Sequence, residues 1–280
     1  MDDEIRLTLA ATFNGVADGY EARPEYPDEI YSLLANRGCG AGARVLEVGP
    51  ATGLATMRLL DLGAAVTAVE PGPALAARLR ERTAGRACEV VVSSFESAAL
   101  PDAAFDLLVA ATAFHWVEPG TGFAKAASLV RPGGWLALWW TVFGDASRPD
   151  PFERALRPML RDLAPELQFD AFASSVPYAL DVDARIGEID ATGAFEPVEH
   201  HVVPWEGHHD AAGIRALFAT YSPWLALPEA TRTRVLDELE RIARDDFGDA
   251  IVRPYQTVIY LARRSRESGR VASRPSRGGG

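Results

Sequence analysis

The sequence predicts an α/β protein built on one seven-stranded, mostly parallel sheet, with helices on both faces and a helical cap from insertions near the C-terminal strands. Three observations support this fold class. From residue 43 to 143, short apolar runs alternate with longer helical patterns, which is typical of βαβ units. Some runs, such as Leu107–Ala111, are apolar on both faces, as in strands that helices cover on each side. Beyond residue 143, two further strand-like runs are separated by helical segments.

The elements of the first half follow one another with short connections. The predicted strands are Arg44–Val48, Ala65–Val69, Glu89–Val92, Phe105–Ala111 and Trp135–Phe143, and the predicted helices are Leu54–Leu62, Pro73–Arg82 and Thr121–Leu129. Gly63 ends the first of these helices. Pro73 lies in the first turn of the second helix, where the missing N–H of proline costs no hydrogen bond.

The second half contains more helices and fewer strands. The predicted helices are Phe152–Leu163, Ile186–Ala194, Ala211–Ala219 and Pro228–Arg244, and the predicted strands are Val198–Val203 and Ile251–Ala262. The helices fall between and before the last two strands, so they are insertions into the sheet connections. We therefore expect them to form a lid over one edge of the sheet.

Charge and cysteine content exclude several function classes. The formal net charge is −11, and residues 261–280 hold six arginines and one glutamate, so the rest of the chain is more acidic still. Such a body repels phosphate backbones, which disfavours nucleic acid as a partner. Cys39 and Cys88 lack metal-ligand spacing and indicate a reducing compartment. With neither signal-peptide order nor a membrane-length apolar run, we expect a cytoplasmic protein that is a monomer or a homodimer.

The most informative motif lies where the first strand ends. That strand finishes at Gly49, a tight turn follows, and a helix opens near Gly53. Glycine permits the unusual backbone angles of such a turn and the close approach of a ligand, and the helix offers free amides. Glu70 ends the next strand, 21 residues after Gly49, where a carboxylate accepts hydrogen bonds from ribose hydroxyls. The pattern predicts a nucleoside site.

The details of the motif indicate which nucleoside binds. A dinucleotide fingerprint needs glycine at its first, third and sixth positions, but the third and sixth positions here are Ala51 and Leu54. Glu47 lies inside the preceding strand, where its carboxylate would repel a pyrophosphate and attract a cationic group. The motif therefore favours a positively charged nucleoside over NAD.

These residues resemble a known family. The segment Glu47-Val48-Gly49-Pro50-Ala51-Thr52-Gly53 is similar to motif I of the class I S-adenosylmethionine-dependent methyltransferases, with Ala51 in place of the usual middle glycine. The resemblance continues through Glu70-Pro71, Ser94-Phe95-Glu96, Phe105-Asp106-Leu107, Phe114-His115-Trp116 and Leu129-Val130-Arg131-Pro132-Gly133-Gly134. The leader Tyr20-x-x-Arg23-Pro24-x-Tyr26-Pro27 resembles a small-molecule subgroup that includes trans-aconitate-type and quinone-biosynthesis methyltransferases.

The resemblance implies a Rossmann-like fold, S-adenosyl-L-methionine as the cofactor, and a set of binding residues. Glu47, Gly49 and Gly53 would line its methionine moiety, and Glu70 would hold the ribose. Phe95 would flank the adenine, together with its two chain neighbours. The complete set expected at the cofactor is Glu47, Gly49, Ala51, Thr52, Gly53, Glu70, Pro71, Ser94, Phe95, Glu96, Ala111 and Thr112.

Candidates for catalysis and for the acceptor site each have a functional and a structural interpretation. His115 follows the fourth strand. It is either a general base for a hydroxyl acceptor or a structural residue that forms a hydrogen bond to the lid. Tyr20 either closes over the cofactor or packs within a helix. Trp116 and Trp140 are either walls of the acceptor site or packing residues. Arg23 either binds an acidic acceptor through its guanidinium group or forms a structural ion pair.

Four histidines, His200, His201, His208 and His209, invite a metal hypothesis. The first two are adjacent on a predicted strand and so point to opposite faces. No cysteine partner or helical pair of histidines accompanies them, so we expect no metal site.

Taken together, these observations divide the chain into four parts. We predict an N-terminal helical flap over residues 1–40, an S-adenosylmethionine-binding core over 41–143, cap helices with the last two strands over 144–263, and a disordered basic tail over 264–280. The predicted function is direct in-line methyl transfer from S-adenosylmethionine to a small-molecule acceptor. Two alternatives stay open, a non-catalytic nucleoside-binding protein and an NAD-dependent oxidoreductase.

Overall fold

A computed structural model describes residues 22–167 and 176–266 of the chain. The strands run in chain order as Arg44–Val48 (β1), Ala65–Glu70 (β2), Cys88–Val92 (β3), Phe105–Ala111 (β4), Val130–Val142 (β5), Glu199–His209 (β6) and Ile251–Arg263 (β7). The α-helices are Asp28–Ala35 (α1), Leu54–Asp61 (α2), Pro73–Arg82 (α3), Pro119–Leu129 (α4), Pro151–Leu163 (α5), Val182–Asp190 (α6), Ala211–Phe218 (α7), Ser222–Leu225 (α8) and Glu229–Asp245 (α9). Short 3₁₀ turns lie at Phe114–Trp116, Pro165–Leu167 and Tyr178–Leu180.

The seven strands form one sheet in the order β3-β2-β1-β4-β5-β7-β6. Strands β1 to β5 pair in parallel, whereas β7 is antiparallel to both β5 and β6. The chain reverses its direction of winding between β1 and β4, and ligands of open α/β sheets bind at such a point, outside the carboxyl ends of the strands. The predicted fold class is confirmed.

Alternating strand residues feed two separate cores, one on each face of the sheet. Leu46, Leu108 and Leu138 belong to one cluster, whereas their neighbours Val45 and Leu107 belong to the other. This alternation follows from the two-residue period of a strand and explains why the strands are apolar throughout. A third cluster lies in the cap, where α5, α7, α8 and α9 pack together with the start of β7.

Two strands, β5 and β6, extend several residues beyond their predicted bounds, whereas β2, β3 and β7 are each one residue longer than predicted. β5 begins at Val130 rather than at Trp135, because Val130 pairs with Phe105 before a register shift, and Gly133 donates a backbone hydrogen bond to Arg264. The Arg-Pro-Gly-Gly segment is thus part of a strand rather than a turn that precedes it. β6 extends to His209, since its antiparallel pairing with β7 continues as far as Ile251.

The predicted division into four parts stays a prediction. Most of the predicted flap, including Tyr20, and residues 267–280 of the predicted tail lie outside the described residues. Within the tail, Arg264 still forms a β-bridge with Phe195. Of the helices in the described part of the chain, none combines the length and the apolar character needed to cross a bilayer.

Candidate functional site

A narrow cleft opens at the carboxyl edge of the sheet, between the tips of β1 and β4, and its cavity volume is about 20 Å³. Its lining combines the turn after β1, the start of α2, the end of β4 and the segment before α1. The residues that line it are Arg23, Tyr26, Glu47, Gly49, Pro50, Ala51, Leu54, Ala55, Ala111 and Thr112. The cleft therefore coincides with the switch point of the sheet, where the sequence predicts a nucleoside.

The turn after β1 depends on backbone conformations that side chains disfavour. Gly49 and Gly53 have φ values of 66° and 92°, and Ala51 between them has φ 51°. A Cβ added at Gly49 would lie 2.6 Å from the Cβ of Ala113, and one added at Gly53 would lie 2.5 Å from Leu79. Both glycines are thus required for conformation, and Gly49 is also required for space, because the Ala113 Cβ cannot rotate away whereas the end of the Leu79 side chain can. Ala51 adopts a left-handed conformation at a strain cost, which explains why glycine is usual at this position of the motif.

Glu70, at the tip of β2, holds this turn in place. Its two carboxylate oxygens accept hydrogen bonds from the backbone N–H of Ala51 at 3.0 Å and of Gly72 at 2.8 Å. Burial raises the pKa of Glu70, and these two hydrogen bonds oppose that rise. Because each carboxylate oxygen can accept a second hydrogen bond, Glu70 can brace the turn and still serve a ligand hydroxyl.

Glu47 is the most unusual group in the cleft. Its side chain is 0% exposed, one oxygen accepts a hydrogen bond from the Thr56 hydroxyl at 2.6 Å, and the other oxygen is buried with no hydrogen-bond partner among the described residues. Burial raises the pKa of Glu47 to about 7, and the nearby Glu70 carboxylate also raises it. A buried carboxylate without a partner is costly, and a cation bound in the cleft would compensate it.

Two residues of the leader form the roof of the cleft. The Tyr26 hydroxyl shares a hydrogen bond of 3.2 Å with the Thr112 hydroxyl, and the Tyr26 ring packs edge-on against Trp139. The Arg23 guanidinium donates hydrogen bonds to the hydroxyl and the carbonyl of Thr220, at 3.2 Å and 3.1 Å. The leader thus connects the sheet to the cap across the cleft, and Arg23 is engaged with the cap.

His115 is held in one tautomer by Trp140. The indole Nε1–H of Trp140 donates a hydrogen bond to His115 Nδ1 at 3.0 Å, so the neutral imidazole carries its proton on Nε2. Burial, together with the charges of Arg23 and Arg185, lowers the pKa of His115 to about 4. His115 is therefore a neutral hydrogen-bond donor at Nε2 at physiological pH.

The rings around His115 form an aromatic cluster beside the cleft. Trp116 lies 4.7 Å from the His115 ring, and Tyr178 lies 5.8 Å from it on another side, as measured between centroids. Trp140 is 4% exposed and packs edge-on against Tyr178 and Tyr260. The position of Trp140 is thus that of a buried support for His115. The acceptor roles predicted for Trp116 and Trp140 stay predictions.

The structure brings six of the predicted site residues together in the cleft wall, namely Arg23, Glu47, Gly49, Ala51, Ala111 and Thr112. Ten others are described but do not line the cleft, namely Thr52, Gly53, Glu70, Pro71, Ser94, Phe95, Glu96, His115, Trp116 and Trp140. Four residues that line it were not singled out from the sequence, namely Tyr26, Pro50, Leu54 and Ala55. Tyr26 belongs to the leader motif Tyr20-x-x-Arg23-Pro24-x-Tyr26-Pro27, and this motif is the sequence feature that could identify it.

The segment predicted at the adenine makes contacts of its own. Phe95 is buried and packs against Phe114 at a centroid distance of 5.9 Å. The Ser94 hydroxyl accepts a hydrogen bond from the Ser97 N–H, and a Glu96 carboxylate oxygen accepts one from the Glu118 N–H. These contacts fix the loop after β3, and the adenine assignment stays a prediction.

The four histidines all lie on β6. His209 contacts the Tyr255 hydroxyl at 2.9 Å, and His201 lies 4.0 Å from the Glu199 carboxylate. Within residues 22–167 and 176–266, no group of three or more histidine, cysteine or acidic side chains has an arrangement that could hold a metal ion.

Comparison with known proteins places the chain in a family. The family described as "Methyltransferase domain" matches residues 46–138. An uncharacterized methyltransferase from Mycobacterium tuberculosis (strain H37Rv) is 27% identical over 262 residues, which cover 92% of this chain and 97% of that protein. An uncharacterized methyltransferase from Geobacillus sp. (strain WCH70) is 30% identical over 155 residues, which cover 51% of this chain and 71% of that protein.

The fold shows the same relationship. A solved structure of a type II methyltransferase from Anaeromyxobacter dehalogenans superposes with a TM-score of 0.61 at 24% identity, covering 88% of this chain and 99% of that one. The residues that match the family, 46–138, include the last three residues of β1, the turn after it and the end of β4. The chain belongs to the class I S-adenosylmethionine-dependent methyltransferases.

Proposed function

We propose that this methyltransferase binds S-adenosylmethionine in the cleft and transfers its methyl group to a small-molecule acceptor. One observation carries the proposal: Glu47 lines the cleft, and one of its buried carboxylate oxygens has no hydrogen-bond partner among the described residues. The amino group of the methionine moiety is positively charged and could form an ion pair and a hydrogen bond with this carboxylate oxygen. A pyrophosphate there would add negative charge beside Glu47 and Glu70, which disfavours NAD.

The residues of the cleft fit the cofactor. Glu47 would hold its amino group, the turn that contains Gly49 and Ala51 would leave room for the methionine chain, and Glu70 would bind the ribose. When bound, S-adenosylmethionine supplies a methyl group that is already activated by the sulfonium and passes in line to the acceptor, leaving S-adenosylhomocysteine. The protein's own contribution is to orient the acceptor and to exclude water.

Tyr26 and His115 have the positions for these two tasks. Tyr26 covers the cleft from the leader side and is tied to Thr112, at the end of β4, which limits the entry of water. His115 would orient the acceptor by donating from Nε2. A base role is disfavoured, because Nδ1 already accepts from Trp140 and because the pKa of about 4 makes the imidazole a weak base.

A small molecule is the acceptor class that charge and architecture favour. The acidic body repels nucleic acid, and the leader bridges the cleft to the cap, so the site is closed to large surfaces. The alternative is a non-catalytic protein that only binds the nucleoside. It would use the same cleft, but no methyl transfer would be observed.

Calorimetry with S-adenosylhomocysteine, S-adenosylmethionine and NAD tests the proposal. We expect both sulfur nucleosides to bind and NAD not to bind. Glu47→Gln should weaken S-adenosylhomocysteine binding by roughly tenfold or more, since it removes the charge that faces the amino group. Glu81→Gln is the matched control, because Glu81 is exposed on α3 and should change nothing.

A methyl-transfer assay on a panel of small molecules completes the test. Formation of S-adenosylhomocysteine together with a methylated product would support the enzyme. NAD binding in place of the sulfur nucleosides would favour an oxidoreductase, and nucleoside binding without transfer to any member of a broad panel would favour a binding protein.

A further inference from the structure

A second cavity lies in the cap, on the far side of the contact between Arg23 and Thr220. Its cavity volume is about 280 Å³, close to the lower end of the size range of small-molecule pockets. Its residues come mainly from α5, α7, α8, β7 and the segment directly after β5. The pocket is therefore formed only when the cap folds onto the sheet. The lining residues, which we call the cap pocket, are Phe143, Glu153, Leu156, Leu167, Phe218, Tyr221, Pro223, Trp224 and Arg253.

Aromatic rings form a continuous wall of the cap pocket. Phe143 stacks on Tyr221 with centroids 5.1 Å apart and an interplanar angle of 28°. Tyr221 also contacts Phe218 at 4.8 Å, and Phe218 contacts Trp224 edge-on at 4.8 Å. A wall of this kind binds a flat ring by offset stacking and by edge-to-face contacts. The shape and the chemistry of the wall therefore favour a ring-containing ligand.

The charges at the cap pocket are already paired. Arg253 is 2% exposed and donates to the Asp150 carboxylate at 2.8 Å and to the Phe143 carbonyl at 3.3 Å. Glu153 accepts from Arg157 at 2.9 Å. A charged ligand would lose its hydration here without gaining an unpaired counter-charge. The pocket is therefore suited to an uncharged ligand.

Two buried polar atoms nevertheless lack partners. Among the described residues, neither Arg253 Nη1 nor the Tyr221 hydroxyl makes a hydrogen bond of normal geometry, although the Arg253 guanidinium lies close enough to the Tyr221 hydroxyl to interact with it. Such atoms are rare in folded proteins, and each calls for an explanation. A ligand that carries an oxygen or a nitrogen atom would supply the missing partner.

The cap pocket borders the methyl-transfer cleft. Arg23 lines the cleft and donates two hydrogen bonds to Thr220, and the next residue, Tyr221, is part of the aromatic wall. Phe143 directly follows β5, whose carboxyl end lies at the same edge of the sheet as the cleft. A molecule seated in the pocket would thus lie next to the site of transfer.

From this arrangement we infer that the cap pocket binds the methyl acceptor, and that the acceptor is an uncharged, ring-containing molecule with at least one oxygen or nitrogen atom. The inference rests on the proposed function, because it names the substrate class for the same reaction. It assigns specificity to the rings of the cap, whereas the cleft at the strand tips determines the cofactor.

Fluorescence titration of the full chain with N-phenyl-1-naphthylamine tests the inference. This probe is uncharged, contains rings and has one N–H group. We expect it to bind at one site, and saturating S-adenosylhomocysteine should not displace it. Its sulfonate derivative, 8-anilino-1-naphthalenesulfonate, should bind at least roughly tenfold more weakly, because the sulfonate finds no unpaired cation. Displacement by S-adenosylhomocysteine, or equal binding of the two probes, would overturn the inference.

Variants of the lining locate the bound probe. Pro223→Trp places a bulky ring at the exposed rim, and Leu156→Phe fills the interior. Each should weaken N-phenyl-1-naphthylamine binding by roughly tenfold and leave S-adenosylhomocysteine binding within about twofold. Ala226→Trp is the matched control, since it adds the same ring to an exposed position at the end of α8 but outside the lining. Unchanged probe binding in both pocket variants would refute the assignment.

The two proposals fail in different ways. If S-adenosylhomocysteine binds but the uncharged probe does not, the inference about the cap pocket is wrong and the methyltransferase proposal stands. If the probe binds as expected but no sulfur nucleoside binds, the proposed function is wrong and the acceptor assignment falls with it.

Discussion

The cleft at the strand tips and the cap pocket are built from different materials. The cleft combines a backbone turn, the Glu47 carboxylate and mostly small side chains from two short segments, residues 47–55 and 111–112, together with Arg23 and Tyr26. The cap pocket combines large rings from segments between residues 143 and 253. A site made from local backbone geometry tolerates little change at a few positions. A site made from packed rings tolerates substitutions at many positions, because hydrophobic side chains of similar volume can replace one another.

The strongest test of this difference is Gly49→Ala. The added Cβ would lie 2.6 Å from Ala113 Cβ at a φ of 66°, so we expect a loss of about 2–4 kcal/mol of unfolding free energy and roughly hundredfold weaker S-adenosylhomocysteine binding. Chemical denaturation and calorimetry measure the two effects. Gly187→Ala is the control, because Gly187 lies within α6 with open space around it, and alanine there should stabilise the protein by up to about 1 kcal/mol. Equal effects of the two substitutions would show that the turn after β1 is no more sensitive to a side chain than the exposed position in α6.

The second test uses pH, which should act on the cleft and spare the cap pocket. The pKa of Glu47 rises from an ordinary value of 4.5 to about 7 in the folded state, so the native protein binds this proton more tightly than the unfolded chain. The contribution of Glu47 to the unfolding free energy should therefore fall as pH rises from about 4.5 to about 7, by on the order of 3 kcal/mol.

Denaturation curves across this pH range, compared between the wild type and Glu47→Gln, isolate the effect. The glutamine variant should lack this part of the pH dependence. Parallel curves for the two proteins would show that Glu47 is ionised in the native state throughout. We also expect S-adenosylhomocysteine binding to release a proton below pH 7, since a bound cation stabilises the ionised form of Glu47.

The third test concerns His115, which lines neither region and contacts Trp116, Trp140 and Tyr178. His115→Ala should lower the methyl-transfer rate by about tenfold to a hundredfold, equivalent to roughly 1.4–2.7 kcal/mol, with S-adenosylhomocysteine affinity unchanged, because a hydrogen bond to the acceptor is lost. The wild-type rate should not follow the ionisation of His115 between pH 5 and 8, since its pKa is about 4. Equal losses in rate and in cofactor affinity would assign His115 to the cleft.

The smallest expected effect is at Ala51. Glycine at this position should relieve the strain of a left-handed alanine and raise the unfolding free energy by about 1 kcal/mol, less the extra entropy of the unfolded chain. S-adenosylhomocysteine binding should stay within about twofold of the wild type. A destabilised Ala51→Gly protein would mean that the turn is not strained at this residue.

Much of the site's first half could be predicted from the sequence. β1, α3 and β4 have the predicted bounds, and the turn after β1 carries the glycines and the acidic residues that its conformation requires. These features depend on neighbours in the chain, and local steric limits and strand periodicity act over a few residues. The motif therefore contained the information that located the cleft and the family.

Other features depend on contacts between distant residues. The sequence did not indicate that Trp140 would fix the tautomer of His115, that Arg23 would bind Thr220, or that Glu70 would brace Ala51. Each contact joins segments that only the folded chain brings together, over separations of 25, 197 and 19 residues. The roles of such polar groups cannot be assigned until their partners are known.

The sequence by itself determined the α/β class, the edge of the sheet at which the cleft lies and the methyltransferase family, because periodicity and the turn motif are local properties. Only the tertiary structure decided that β7 runs antiparallel between β5 and β6, that one oxygen of Glu47 is buried without a partner, and that rings from α7, α8 and the end of β5 enclose a pocket beside the cleft. Burial, ionisation and cavities arise from packing between segments that are far apart in the chain, and no local pattern specifies them.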